Sequence, residues 1–539
     1  MTNPNPDVLI VGAGPVGTAL AIDLTRRGVP VRIIDKAEHG FTGSRAKGVQ
    51  PRTLEVFDDL GVLDDIHRGG SPYPSMGIHL GPFTVPLRLL RSPHVGDATV
   101  PHPRPWLIPQ FRTDRALHDR LHALGVDVDY HHELSELTET SDAVHATINT
   151  PEGTEVITAR YVVGADGGAS VVRNQAGIGF TGSTDEADRI LIVDADVTGH
   201  LSRKRWHVWP RRGGMVGACP LPHSTQFQWM IKLAPHDEPP VGEDEITACI
   251  RARTGNKHLA VHHISWTSVF RPNIRLAQTY RRGRVFLAGD AAHVHTPAGG
   301  QGLNTGVQDA YNLGWKLGQV LAGAPPGLLD TYETERRPIA AAVLGLSTKK
   351  YTGMAKLSPS SFTRGKDEQQ ITLNYRGGPL TPGTAQHTTT LHVGDRAPDA
   401  TLHDSDGSPV RLFGLYRGPH FTALAAGPHA AQELGKLAWP DGGARLHRVT
   451  VNAPDDSPDV RSLNDAAGTF RKAYGINADA LLIIRPDGYI ASIATHDILA
   501  ATTAAVTALA PPIERADTND EARTFTSQLP TKRTRGGRQ

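Results

Sequence analysis

Cysteine is the scarcest residue in this chain of 539: only Cys219 and Cys249 occur. Two thiols exclude a secreted disulfide framework and a thiolate metal cluster, and they favour a reducing, cytoplasmic setting. An excess of charge is lacking too, with 56 basic against 55 acidic residues and a formal net charge of +1. That balance gives no reason to expect nucleic acid or an anionic membrane as partner. No apolar run reaches membrane-spanning length. The opening MTNPNPDVLIVGAG has no basic region ahead of its short apolar run, so a signal peptide is not expected either. A GxSxG elbow is absent, which leaves a serine hydrolase without support. His131-His132-Glu133 lacks helical zinc spacing and reads as a polar strand end, and His262-His263 reads as structural, so no metal site is expected.

Glycine, by contrast, is abundant, at 56 residues, and three of its clusters follow apolar strand-like runs. Residues 8–11 form a β-branched run, and Gly12-Ala13-Gly14-Pro15-Val16-Gly17 follows at once. A helical pattern through Leu20, Ile22 and Leu24 is closed by Gly28, and residues 31–34 read as a second strand ending at Asp35. This is a complete βαβ unit. Its first glycine permits a tight turn, its second lets a pyrophosphate approach the backbone, and its third lets the helix pack on the strand. Asp35 stands where an acid can accept hydrogen bonds from an adenosine ribose.

Residues 159–164 form another buried strand that runs into Ala165-Asp166-Gly167-Gly168-Ala169-Ser170, with Arg173 on the helix that follows. The third cluster lies in residues 283–317: a short strand, a tight Gly289-Asp290 turn, a glycine-rich loop, and an amphipathic helix from about Asn304. A carboxylate fixed at a strand end can bind a chain of hydroxyls, and bare amides at a helix N-terminus can hold an oxyanion or an electron-rich ring. With the dinucleotide fingerprint, these features suggest a flavin. Only one full GxGxxG is present, so a nicotinamide would visit briefly rather than occupy a Rossmann domain of its own.

At this length two or three domains are expected. Leu54, Phe57, Leu60 and Leu63 suit one buried helix face, and residues 116–124 read as an amphipathic helix capped by Gly125. Residues 71–100 carry five prolines and read as strands leaving the nucleotide-binding part. Alternating strands fill residues 194–271, with four of the seven tryptophans, Trp206, Trp209, Trp229 and Trp266. Aromatics at alternate positions fit either a core or one wall of a pocket for a planar substrate. Two further residues also have two readings: Arg45 as a surface arginine or a cation reaching a cofactor, and Gln110 as a flavin-facing amide or a helix-entry residue. Residues 358–390 read as a linker or a long excursion, residues 481–493 as a β-hairpin in a last domain, and the polar tail as a solvated, disordered extension.

GAGPVG with Asp35, then GADGGASVVR, then GDAAHVHTPAGGQGLN, in that order over residues 7–350, resemble the single-component class A FAD monooxygenases, the flavoprotein aromatic hydroxylases. The segment with GDRAPD and LLIIRPDGYI resembles the thioredoxin-like domain of the phenol hydroxylase and polyketide-tailoring branches, here without CxxC. The resemblance implies an α/β fold. A Rossmann-like FAD-binding domain would be split over 1–182 and 272–350, with an inserted, mainly antiparallel substrate-binding domain over 183–271 that takes strands from 71–108. A linker (351–390), a thioredoxin-like domain (391–511) and a disordered tail (512–539) would follow.

It further implies that Gly12, Gly14, Val16 and Gly17 hold the FAD pyrophosphate, with Asp35 and Lys36 at the adenosine ribose and the backbone near Leu134 at the adenine. Arg45 and Gln110 would approach the ribityl and phosphate region, and Asp290 the ribityl chain. Pro297 would lie beside the isoalloxazine ring, with the amides of Gly302, Leu303 and Asn304 at its pyrimidine edge. Asp166 and Arg173 belong to the motif tied to both FAD and NADPH. Independently of the resemblance, the pocket-wall reading of the alternating aromatics makes Trp206, Trp209 and Trp229 the candidate substrate contacts. The implied activity uses NADPH or NADH and oxygen to hydroxylate a phenolic or polyketide-like aromatic molecule through a flavin hydroperoxide, in a monomer or homodimer. Oxygen insertion beside a ketone and epoxidation stand as alternatives on the same scaffold, and a non-catalytic, flavin-bearing binding protein is the alternative of another class.

Overall fold

The computed structural model describes residues 5–512, apart from 82, 88–94, 211–213, 297–299, 356–364, 382–387, 389 and 454–456. Pro297 and the tail beyond residue 512 therefore lie outside the described residues. The first layer is a six-stranded sheet in the order Arg281–Arg282, Val285–Leu287, Tyr161–Gly164, Val8–Val11, Val31–Ile34, Val128–Asp129. All its pairings are parallel except that of the first two strands. Val8–Val11 is buried at every position, as a β-branched strand covered on both faces must be. Helix Pro15–Thr25 starts with proline at a position that needs no N–H. It is buried from Gly17 to Leu24 because helix Gly302–Leu321, itself buried along most of its length, lies against it. Leu54, Phe57, Leu60 and Leu63 all join the same core.

A seven-stranded sheet forms the second layer, in the order Ala260–Phe270, Arg189–Thr198, Phe227–Leu233, Val216–Pro220, Arg205–Trp209, Ser75–Leu80, Phe83–Leu87. Residues from the proline-rich stretch thus join the sheet 110 and more residues later in the chain, through the parallel pairing of Ser75–Leu80 with Arg205–Trp209. One face of this sheet is apolar and packs under helix Gly242–Thr254 through Ile246 and Ile250.

A third unit contains the five-stranded sheet Val460–Leu463, Leu446–Val451, Phe421–Ala426, Ala480–Ile484, Ile490–Ala494. Its first three strands are parallel, and the last two form an antiparallel hairpin closed at Arg485-Pro486-Asp487-Gly488. Buried ion pairs tie this unit to the rest of the chain: Arg485 bonds Glu335 through both guanidinium ends at 2.6 and 2.9 Å, and Arg396 bonds Glu55 at 2.6 and 2.9 Å.

A single helix, Asp330–Ala355, runs through Pro338, although proline removes a helical hydrogen bond. The buried pairs of Glu335 and Arg336 pin the helix just before that position. One expectation is corrected: within the stretch 351–390, residues 368–370 are more than a linker. Gln370 donates to Gln301 Oε1 at 2.7 Å and to Thr305 Oγ1 at 3.2 Å, and Gln301 donates to Glu368 O at 3.0 Å, all buried. Polar composition concealed this contact because the buried side chains are amides that satisfy one another. Among the described residues no helix is long and apolar enough to cross a membrane.

Candidate active site

Val11, Gly164 and Leu287 end three adjacent parallel strands in register. Gly12, Ala165 and Ala288 therefore leave the same edge of the sheet side by side, and this edge is where open α/β sheets bind ligands. Backbone bonds fix the spacing: Ala165 donates to Val11 O at 2.8 Å, and Ala288 donates to Gly164 O at 2.9 Å. Gly12 has φ +104°, and a Cβ there would stand 2.4 Å from Ala165 O. A Cβ on Gly17 would stand 1.9 Å from Gly12 O, so this glycine lets the helix begin directly on the turn. A Cβ on Gly14 would meet nothing within 4 Å, so the middle glycine borders open space, as pyrophosphate approach requires. Gly289 and Gly306 both lie against Val16, where added Cβ atoms would come within 2.8 and 2.6 Å of its Cγ2. The three glycine clusters, far apart in sequence, thus meet at one place.

The residues around this meeting point suit a dinucleotide and a ring at its end. Asp35 accepts from Ala13 N at 2.8 Å and Ala37 N at 2.9 Å, which braces the glycine turn from the second strand. Lys36 is exposed, 4.0 Å from Glu133. Leu134 is buried in strand Glu133–Glu139, and His131 and His132 just before it donate to Ala37 O and Asp35 O at 2.9 and 3.0 Å. Gln110 is the first residue of helix Gln110–Ala123; its Oε1 accepts from Ala46 N at 3.2 Å and its Nε2 donates to Asp114 at 3.4 Å. Burial pushes Asp114 up to about 8, and the charge of Asp35 adds to the shift while Gln110 opposes it. Arg45 is exposed and makes no hydrogen bond to a described residue.

At the other end, Asp290 is half-buried, and among the described residues nothing donates a hydrogen bond to its carboxylate. A Cβ on Gly302, the first residue of helix Gly302–Leu321, would stand 3.8 Å from Asp290 Oδ1 and 3.6 Å from His295 Nε2. That His295 nitrogen is buried without a partner among the described residues. A helix N-terminus flanked by an unbonded carboxylate and an orphaned ring nitrogen is unfinished by protein alone, and it fits a hydroxylated chain ending in a polar ring. Leu303 is partly buried beside this point. Asn304, fully buried, spends its side chain internally: Oδ1 accepts from Gln50 N at 2.8 Å, and Nδ2 donates to Gly48 O at 2.8 Å and Gly300 O at 2.7 Å. Its side chain therefore clamps residues 48–50 to the helix start.

Asp166 and Arg173 hold the middle motif together. Asp166 accepts from Val171 N at 2.7 Å and Val172 N at 3.2 Å, capping the short helix Val171–Gln175. Arg173, buried, donates to Gly168 O at 3.0 Å and to Ala291 O at 2.9 Å, next to Asp290.

Residues that the sequence did not single out lock these pieces. Asp309, buried on helix Gly302–Leu321, accepts from His293 at 2.7 Å, Arg336 at 2.7 Å and Gly289 N at 3.2 Å. Burial alone would raise its carboxyl, but Arg336 and His293 outweigh burial and hold it below the usual range. Periodicity had no means of flagging a buried acid on an apolar face. Ser44, Asp194, Gln228 and Lys47 form a second set, joining the loop after residue 43 to the seven-stranded sheet. Ser44 donates to Asp194 through N at 2.7 Å and through Oγ at 2.6 Å, and Gln228 donates to Ser44 O at 3.2 Å.

The tryptophans divide between the two faces of that sheet. Registers place Asp194, Gln228, Trp266 and Trp206 on the face toward the 43–50 loop. A Cβ on Gly43 would stand 2.5 Å from the Trp266 ring, and Lys47 Nζ lies 5.0 Å from the Trp206 ring centre. Trp209 and Trp229 lie on the opposite face, buried in the core with Ile246 and Ile250. This corrects the expectation that they line the substrate wall: strand alternation sends residues an odd step apart to opposite faces, so Trp206 cannot share a wall with Trp209 or Trp229. A separate cavity of about 570 Å³ lies beside Trp209, with His79, His207 and Arg205 in its lining, and none of the three glycine motifs borders it. His262 and His263 also gain a neighbour: with Asp196 they bring ligand-type atoms within 4.8 Å of one another. Spacing along the chain could not reveal this, because Asp196 lies on a different strand and His263 turns back at φ +49°.

A family model described as the FAD binding domain matches residues 5–347. A flavin-dependent monooxygenase of Mycobacteroides abscessus is 41% identical over 494 residues, which is 90% of this chain and 96% of that protein. The 6-methylpretetramide 4-monooxygenase of Streptomyces rimosus is 34% identical over 526 residues, 90% of each chain. Among solved structures, the anhydrotetracycline hydroxylase OxyS from Streptomyces rimosus matches with a TM-score of 0.74 at 30% identity, covering 95% of this chain and all of that one.

Proposed function

The chain belongs to the FAD binding domain family, and from that membership we propose how its residues divide the work of hydroxylating an aromatic molecule. It is an FAD-dependent monooxygenase of the aromatic-hydroxylase type, with NAD(P)H as co-substrate. The observation that carries the residue assignments is the meeting of the three glycine motifs, Gly12 against Ala165 and both Gly289 and Gly306 against Val16, beside Asp290, whose carboxylate accepts no hydrogen bond from a described residue. In this reading the open side of Gly14 receives the FAD pyrophosphate, with Gly12 and Gly17 shaping the turn. Asp35 exchanges one of its backbone partners for the adenosine ribose, and the backbone near Leu134 borders the adenine. Asp290 takes the ribityl hydroxyls, and the amides of Gly302 and Leu303 meet the pyrimidine edge. Asn304 acts here as a clamp on residues 48–50 and contributes only its backbone to the cofactor.

Bound FAD supplies the redox and oxygen-transfer chemistry, and the chain's own residues set its surroundings. The helix N-terminus favours negative charge at the pyrimidine edge. The sheet face bearing Trp206 and Trp266 stands over the 43–50 loop and offers aromatic side chains to a flat substrate. The substrate is a phenolic, polyketide-like polycycle, a reading supported by the ring systems in the names of the relatives, among them 6-methylpretetramide and anhydrotetracycline. The C-terminal unit is a thioredoxin-like structural module with no redox role, since the last cysteine of the chain is Cys249. The test is product analysis after turnover of the holoenzyme with NADPH and a panel of phenols and hydroxylated polycycles. A product heavier by one oxygen with the ring intact supports the assignment. A lactone or an opened ring would move it to oxygen insertion, and no substrate-dependent product at all would overturn it.

A further inference from the structure

We propose that Asp196, His262 and His263 form a site for a divalent metal of the zinc, nickel or cobalt class at the open edge of the seven-stranded sheet. The site is independent of the FAD assignments. Asp196 lies on strand Arg189–Thr198, and His262 and His263 lie on the edge strand Ala260–Phe270. One ligand-type atom from each of the three stands within 4.8 Å of the other two. Asp196 Oδ2 and His263 Nδ1 are 3.3 Å apart. Tetrahedral ligands at ordinary zinc bond lengths stand about 3.3 Å from one another. A cation can therefore replace the hydrogen between these two atoms with little movement of either. His262 supplies the third ligand by rotation of a half-buried ring whose nitrogens make no hydrogen bond to a described residue.

Adjacent residues of a regular strand point to opposite faces, so consecutive histidines meet one carboxylate only where the strand is broken. The break is present. Asp194 pairs with Trp266 and Asp196 with His262, so a step of two residues on one strand answers a step of four on the other, and the edge strand bulges. His263 sits in the bulge at φ +49°, a conformation uncommon for a residue with a side chain. Its N–H is held by Glu243 Oε1 at 2.7 Å, from the first turn of helix Gly242–Thr254. The two imidazole rings thereby come to 5.1 Å between centres, at 66° to each other. Asp196 is oriented as well. Its neighbours Ala195 and Val197 pack in the core under that helix, which turns the carboxylate to the other face, and Thr225 donates to Oδ1 and leaves Oδ2 for the cation. Two imidazoles with a hydrogen-bonded carboxylate suit a transition-series divalent ion, whereas calcium and magnesium take oxygen ligands. The His263 side chain is 81% exposed and that of Asp196 19%, so the ion can enter from solvent and keep water at its remaining position.

The experiment adds zinc or cobalt(II) to the full-length, FAD-loaded protein after treatment with a chelator. Calorimetry should show one equivalent of zinc bound with a Kd of about 10 μM or tighter. Cobalt(II) should give the intense visible bands of a four-coordinate site, at wavelengths longer than oxidised flavin absorbs. His263→Gly removes the ring and suits the backbone angle, and Asp196→Asn keeps the shape of the side chain and its bond from Thr225. Each should weaken zinc binding at least about tenfold and remove the cobalt bands. Zinc should raise the melting temperature of the wild type and leave that of both variants unmoved. Absence of saturable zinc binding by the wild type would overturn the proposal. So would one-equivalent binding that survives in both variants, which would assign the metal to other histidines, or only the pale bands of six-coordinate cobalt. Metal binding is read without turnover, so these outcomes are distinct from a failure of the monooxygenase reading, which shows as absence of oxygenated product.

Discussion

Asp290 shows how a functional side chain declares itself by what it leaves undone. Most buried or half-buried acids in this protein are spent on partners: Asp23 on Arg26 and Arg27, Asp309 on His293 and Arg336, Glu55 on Arg52 and Arg396. Asp290 accepts no hydrogen bond from a described residue, although it stands beside a helix N-terminus. Asp290→Ala should therefore cost FAD binding more than folding. Charge-assisted hydrogen bonds are worth roughly 1.5–3 kcal/mol each, so the variant should release flavin about ten- to a hundredfold more readily, measured by flavin absorbance after ultrafiltration. Full retention would show that its carboxylate does not hold the cofactor.

Asp114 gives a pH-dependent signature at the nucleotide end. Its folded-state value is about 8, above the ordinary 3.8, chiefly through burial. The stability tied to its neutral form is thus complete below about pH 4 and is lost as pH rises through about 8. Asp114→Asn keeps the neutral shape, so its melting temperature should pull ahead of the wild type as pH rises across that window, and the two curves should stay parallel if Asp114 is not titrating. At this scale the sequence was informative wherever geometry demanded glycine, as at Gly12, Gly17 and Gly289. It was silent on Lys47, Asp194 and Asp309, whose roles depend on partners brought from more than a hundred residues away or on burial that polarity disguises.

Among the elements, helix Gly302–Leu321 has the most consequences. Its first turn borders the proposed ring site, Asp309 in its middle fixes the Gly289 turn, and Asn312 and Lys316 farther along enter a buried ion network. In that network Glu335 accepts from Asn312 at 2.8 Å, from Lys316 at 2.7 Å and from Arg485 of the C-terminal hairpin at 2.6 Å. Arg485 and Lys316 overcome burial and hold the Glu335 carboxyl down at about 2. Glu335→Gln leaves the buried Lys316 without its anion and Arg485 with Asp487 alone. It should cost roughly 3–5 kcal/mol, seen as a lower midpoint in denaturant, with flavin lost earlier in the titration than in the wild type. A change within error would mean that water or another acid takes the place of Glu335. The strands and helices themselves were legible from apolar runs and their glycine stops. The docking of residues 368–370 was not, because tertiary hydrogen bonding overrode local propensity there.

As a whole the molecule is a parallel sheet presenting a nucleotide edge, a second sheet facing it across the 43–50 loop, and a C-terminal unit bound to the back of the shared helix. The order of the three glycine motifs made the first layer readable from sequence. The second was readable as strands but not as faces, since alternation shows which residues share a side and not which side meets the cofactor. Ser44–Asp194 and Lys47–Gln228 supply that answer. The central claim, that this arrangement inserts one atom of oxygen into an aromatic ring, is tested most directly by turnover under isotopically labelled oxygen with NADPH and a hydroxylated polycycle. The account predicts NADPH consumption that rises with the aromatic substrate and a product carrying one labelled oxygen atom on an intact ring. NADPH consumption that is the same with and without every aromatic tested, with no label in any organic product, would contradict it.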